Sequence, residues 1–255
     1  MMTIVRPLIL GFAIAAASGT VLAGAYDDLI TAVYQDDTST VLSLINRGMD
    51  VNSVDPAGNT LLHVAARNGN DSLVAGLLKQ KANPNARNRS GDTPLMLAVY
   101  SGKEAATKAL LAGGAQINQD GWAPLHYAVY AEQDEMVSLL LSKGAKVDAR
   151  APNQQTPLML AAKNGNIEIA RILLNAKADP SLKDQHGETA LTLAKQNNNT
   201  DIAQLIERPS APVPVKTSAK PAPAPAKPAA ATPAKKVPEA DTSGEYVSPP
   251  FQTEK

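Results

Sequence analysis

Residues Asn59 to Gly91 read NTLLHVAARNGNDSLVAGLLKQKANPNARNRSG, and the chain repeats this 33-residue pattern on both sides. Asp92 to Gly121, DTPLMLAVYSGKEAATKALLAGGAQINQDG, is three residues short. WAPLHYAVYAEQDEMVSLLLSKGAKVDARAPNQ (Trp122 to Gln154) and QTPLMLAAKNGNIEIARILLNAKADPSLKDQHG (Gln155 to Gly187) restore the full length. Degraded copies stand at either end, which gives six units: 26–58, 59–91, 92–121, 122–154, 155–187 and 188–208. A fixed period of this length predicts a solenoid, because one small unit cannot bury its own apolar face and must stack on its neighbours.

Each unit predicts two helices and a turn. Pro94, Pro124 and Pro157 suit a first helical position, where a missing N–H costs nothing. Thr93 and Thr156, just before, supply a capping hydroxyl. Ala65-Ala66 and Ala161-Ala162 are small enough for first helices to approach closely. Leu77-Leu78, Leu110-Leu111, Leu139-Leu140 and Leu173-Leu174 give the second helix its apolar face. Gly48 and Gly144 fit a left-handed helix end. Lys81 and Lys177 occupy the same place, at a cost of roughly 1 kcal/mol each. Polar residues at the two ends (Asp27, Asp28, Asp36 and Asp37; Asn197 to Asn199 and Asp201) mark the outer units as caps.

The unit resembles the ankyrin repeat, whose motif is T-P-L-H-x-A followed by L-L-x-x-G-A-x-x-N. The matching stretches are TLLHVA (Thr60–Ala65), TPLMLA (Thr93–Ala98), APLHYA (Ala123–Ala128) and TPLMLA (Thr156–Ala161), with LLAGGA from Leu110 and LLSKGA from Leu140 in the second half. The resemblance covers about residues 26–208 and implies an all-α solenoid of about six helix–turn–helix units with short finger turns. It also implies a module that binds another protein through its concave face. His63 and His126 fall on the His of the motif, where the resemblance implies a structural role, bonding backbone between repeats.

The flanks differ from this domain. Residues 1–25 carry one early Arg6, then an apolar run ending in Val-Leu-Ala-Gly-Ala, the pattern of a secretory signal peptide cleaved after Ala23 or Ala25. The chain has no Cys, which removes disulfides, a lipoprotein anchor and thiol chemistry. Export without Cys suits a bacterial periplasmic protein. Residues 209–255 hold 11 of the 19 prolines, and 209–238 are Pro-, Ala- and Lys-rich with no acid. This composition predicts a disordered, extended tail able to touch anionic envelope surfaces. The 239–255 end carries Tyr246 and Phe251 as a short docking motif or as part of the same solvated tail.

Signals for catalysis are missing. The three His fall in three different units, and no nucleophile elbow, phosphate loop or H-E-x-x-H occurs. The expectation is therefore a non-enzymatic chain without cofactor or metal. The repeat domain has 17 Lys+Arg and 20 Asp+Glu, so no basic surface points to nucleic acid.

Two columns stand out once the units are in register. The first is Tyr34, Arg67, Tyr100, Tyr130, Lys163 and Gln196; the second, just before each Thr-Pro position, is Tyr26, Asn59, Asp92, Trp122, Gln155 and Glu188. They hold five of the domain's six aromatics, and Tyr127, the sixth, falls at a core position. Aromatic and Arg side chains anchor interfaces. Tyr34, Arg67, Tyr100, Trp122, Tyr130 and Lys163 are therefore the expected partner-binding residues, adding little to stability. The short third unit should clip its finger between Asn118 and Gly121 and open the groove beside Trp122. The expected function is that of a monomer binding an envelope client protein. The alternatives are a scaffold acting through its tail and a secreted effector acting on a host protein.

Overall fold

The computed structural model describes residues 28–208. The expected signal peptide, the tail and Tyr26 lie outside them. Twelve helices follow in pairs: α1 (28–34) and α2 (Thr38–Asn46); α3 (Leu61–Asn68) and α4 (Asp71–Lys79); α5 (Pro94–Tyr100) and α6 (Glu104–Ala112); α7 (Pro124–Tyr130) and α8 (Asp134–Ser142); α9 (Pro157–Asn164) and α10 (Ile167–Asn175); α11 (Ala190–Gln196) and α12 (Thr200–Glu207). No strand forms among the described residues, only one antiparallel bridge between Val54 and Thr60. The all-α solenoid is as the repeat dictates.

Odd-numbered helices form an inner layer and even-numbered ones an outer layer. The inner helices start alike. Thr60, Thr93, Thr156 and Thr189 each accept the N–H three residues on. In return, the side chain at that third position takes the N–H of the residue before the helix. His63 Nδ1 accepts from Thr60 at 3.0 Å and His126 Nδ1 from Ala123 at 3.1 Å. Met96 and Met159 accept through sulfur at 3.3 Å, and Thr192 through its hydroxyl at 2.7 Å. One position thus closes the start of five helices with three chemistries.

The core runs unbroken through both layers. Ala65, Ala66, Ala98, Ala128, Ala161, Ala162 and Ala194 are fully buried between inner helices, as are Leu77, Leu110, Leu140 and Leu173 at equivalent turns of the outer ones. Gly76 and Gly113 let outer helices close up, since a Cβ on either would lie under 3.0 Å from Leu42 or Leu78. Lys81 and Lys177 adopt φ of 63° and 69°, the left-handed conformation that Gly48, Gly114 and Gly144 adopt at the same place.

Between units the chain turns through fingers. Asp55, Asn88, Ala151 and Asp184 each donate their N–H to the carbonyl four residues on, at 2.9–3.0 Å, closing four like hairpins. Beneath them Asn52, Asn85, Asn118 and Asp148 each accept a backbone N–H of the next unit through a side-chain oxygen. The third finger, Asn118 to Gly121, lacks the hairpin, as its deletion predicts.

A candidate protein-binding face

The ends of the inner helices carry the first column. Tyr34, Arg67, Tyr100 and Tyr130 are half-buried, whereas Lys163 and Gln196 are exposed. The structure joins neighbours in pairs. The Arg67 guanidinium lies 5.8 Å from the Tyr34 ring centroid, a cation–π contact. Tyr100 and Tyr130 stack with centroids 6.3 Å apart and planes 25° apart, and Tyr100 also meets Tyr127 edge-on at 6.5 Å. The Tyr34 hydroxyl donates to Asp55 Oδ2 at 2.9 Å. Burial first, then Asp55, holds the Tyr34 hydroxyl above its ordinary pKa. Burial and then Tyr130 do the same for Tyr100. These phenols stay neutral and present ring faces with a polar tip, side chains ordered before any partner arrives.

The second column does not line a groove. Asn59, Asp92 and Gln155 are only 2%, 0% and 9% exposed, because the finger hairpins close over them. Asn59 Nδ2 donates to Asp55 Oδ2 at 3.0 Å, and Asn88 Nδ2 to Asn59 Oδ1 at 2.8 Å. The Asp92 N–H reaches Asn88 Oδ1 at 2.9 Å, and the Tyr127 hydroxyl donates to Asp92 Oδ1. A polar chain thus runs under the fingers from Tyr34 in the first unit to Tyr127 in the fourth. Its inner members, Asp55 with Asn88 and Asn59 with Asp92, recur at the 33-residue period. Tyr127 itself is fully buried, as its core position requires.

Trp122 shares this position but stays half-buried, since the clipped third finger has no hairpin to close over it. Its ring packs on the core and meets His126 edge-on at 5.3 Å. It contacts the stack as well as facing outward. The clipped finger does open a cleft, of about 470 Å³, between Asn118–Gly121 and the fourth finger. Its walls include Lys146, Asp148, Arg150 and Pro152 and do not include Trp122, so the opening is separate from the aromatic row.

His63 and His126 are fully buried. Each Nε2 lies against a carbonyl of the next unit, Asp92 at 3.0 Å and Gln155 at 3.3 Å. With Nδ1 accepting, Nε2 is the donor, so each ring is neutral and bridges two units. Desolvation lowers both pKa values to about 4. His186 is exposed in the fifth finger, and no group of three metal-ligating side chains forms among the described residues. No described helix is long and apolar enough to cross a membrane.

Comparison with known proteins agrees with this architecture. The family described as "Ankyrin repeats (3 copies)" matches residues 29–119, 68–151 and 147–213. The glycerophosphocholine phosphodiesterase gde1 of Schizosaccharomyces pombe is 38% identical over 98 residues, 37% of this chain and 9% of that protein. A transient receptor potential cation channel subfamily A member 1 homolog of Caenorhabditis elegans is 46% identical over 63 residues, 25% of this chain and 5% of its own. A putative ankyrin repeat protein of Rickettsia felis is 36% identical over 85 residues, 33% of this chain and 22% of that one. The chain spans less than a quarter of each of these relatives, so the likeness lies in the repeats. With motif, paired helices and finger turns all in register, the chain belongs to the ankyrin-repeat family, whose fold is a scaffold for binding protein partners.

Proposed function

We propose that this protein is a non-enzymatic, exported bacterial module that holds an envelope client protein against its concave face. The observation that carries this is the row Tyr34, Arg67, Tyr100, Tyr130 and Lys163. It places ordered aromatic and cationic side chains at the same turn of successive inner helices. Such groups anchor interfaces at low ordering cost because neighbouring side chains already hold one another in place. Periplasmic location rests on the signal-like residues 1–25 and the absence of Cys. On this account the mature chain begins at Gly24 or Tyr26, and its cationic tail contacts anionic surfaces of the envelope.

The test is capture from periplasmic extract with immobilised wild type, Tyr130→Ala and Lys79→Ala. A client held by wild type and by Lys79→Ala but lost by Tyr130→Ala, at equal melting temperatures, supports the concave face. A client retained by Tyr130→Ala and lost on removal of residues 209–255 would move the function to the tail.

A further inference from the structure

The finger row is discontinuous, and the break coincides with other gaps at the same junction. The Arg89 N–H, in the second finger, donates to the Ala57 carbonyl of the first at 3.1 Å. The Gln185 N–H, in the fifth, donates to the Asn153 carbonyl of the fourth, also at 3.1 Å. The repeat register puts Pro152 at the corresponding place in the fourth finger, and proline has no N–H to give. Pro56 holds the same place in the first finger, which has no finger before it to bond. Prolines therefore open each of two short finger ladders, and the clipped third turn lies between them.

Other inter-unit links are also missing at this junction. His63 ties the second unit to the third and His126 the fourth to the fifth, whereas Met96, facing the fourth unit, and Met159, facing the sixth, form no such bridge. Arg87 links the second finger to the third by donating to Gln119 Oε1 at 2.7 Å. Arg150 links the fourth to the fifth by donating to the Lys183 carbonyl at 2.7 Å. In the third unit the three-residue deletion after Asn118 removes that step, and its donor with it. In the outer layer α6 and α8 approach each other less than any other adjacent pair of even-numbered helices described.

Between units three and four the remaining links cluster on the inner layer and the finger bases. They include the Tyr100–Tyr130 stack, the Tyr127 hydroxyl on Asp92, Gln133 Nε2 on the Tyr100 carbonyl at 3.0 Å, and the Asn118 side chain on Gly144 and Lys146. Both flanks are loose while the middle is pinned. We propose that this junction is a hinge. Units 1–3 and units 4–6 are two rigid blocks that swing about the tyrosine cluster, opening and closing the cleft between the clipped turn and the fourth finger. Hinge closure needs a few positions that absorb the rotation between well-packed bodies. The hinge stands whether or not a client occupies the aromatic row.

The absence of Cys makes the test direct, because labels go only where a cysteine is introduced. Ala75, Ser138 and Gln204 are exposed, equivalent positions on α4, α8 and α12, each two units from the next. Spin labels on full-length Ala75→Cys/Ser138→Cys span the junction, whereas labels on Ser138→Cys/Gln204→Cys stay inside the second block. Pulsed electron resonance should give a distance distribution roughly twofold broader for the first pair than for the second. Equal widths, or a broader second pair, would overturn the hinge. As a further check, Ala-Arg-Asn inserted after Asn118, with Pro152→Arg, rebuilds the missing finger and its donor. That background should bring the first pair to the width of the second, and an unchanged width would contradict the assignment of the hinge to the finger gap.

Discussion

His63 and His126 each do two jobs, and a single substitution separates them. Alanine leaves the helix-start N–H and the neighbouring carbonyl without a partner, for a loss of roughly 1–3 kcal/mol by chemical denaturation. Methionine should cost less, because Met96 and Met159 already satisfy that N–H through sulfur and only the bridge is lost. The same residues give the fold an acid limit. Each pKa falls from 6.5 to about 4 on folding, so between those values the unfolded chain binds more protons than the folded one. Their contribution is complete above about pH 6.5 and is lost as pH falls toward 4, by about 3 kcal/mol for each ring. Denaturant melts across that range should show the loss, and it should shrink in the methionine variants.

At the scale of one element, the ends of the outer helices are the weak points. Lys81 and Lys177 sit in left-handed backbone that glycine adopts without strain, and Gly144 at the same step has open space where a side chain would stand. Lys81→Gly and Lys177→Gly should each raise stability by about 1 kcal/mol, and Gly144→Lys should lower it by as much. Unchanged midpoints would show that the two lysines make compensating contacts. These positions were legible in the sequence, because helix caps are local and recur at the repeat period. The burial of Asn59, Asp92 and Gln155 was not. Whether a residue before the Thr-Pro step is covered depends on a hairpin folding back over it. The chain from Asp55 through Asn59 and Asn88 to Asp92 exists only once successive fingers stand side by side. The row from Tyr34 to Lys163 was legible as a column. The Arg67–Tyr34 and Tyr100–Tyr130 pairing within it depends on side-chain rotamers that register does not determine.

Across the whole molecule, stability and binding should separate by layer. Trp122→Ala removes a ring seated on the core and on His126 and should lower stability by about 2 kcal/mol. Lys163→Ala, on an exposed side chain, should leave the melting temperature unchanged. The most direct measurement of the binding face is photo-crosslinking in the source cells, with the reactive residue placed in turn at Arg67, Lys163, Lys79 and Lys108. The first two lie on the concave row and the last two on outer helices. The account predicts a single protein adduct from Arg67 and from Lys163 and none from Lys79 or Lys108. An adduct formed from the outer helices alone would contradict it.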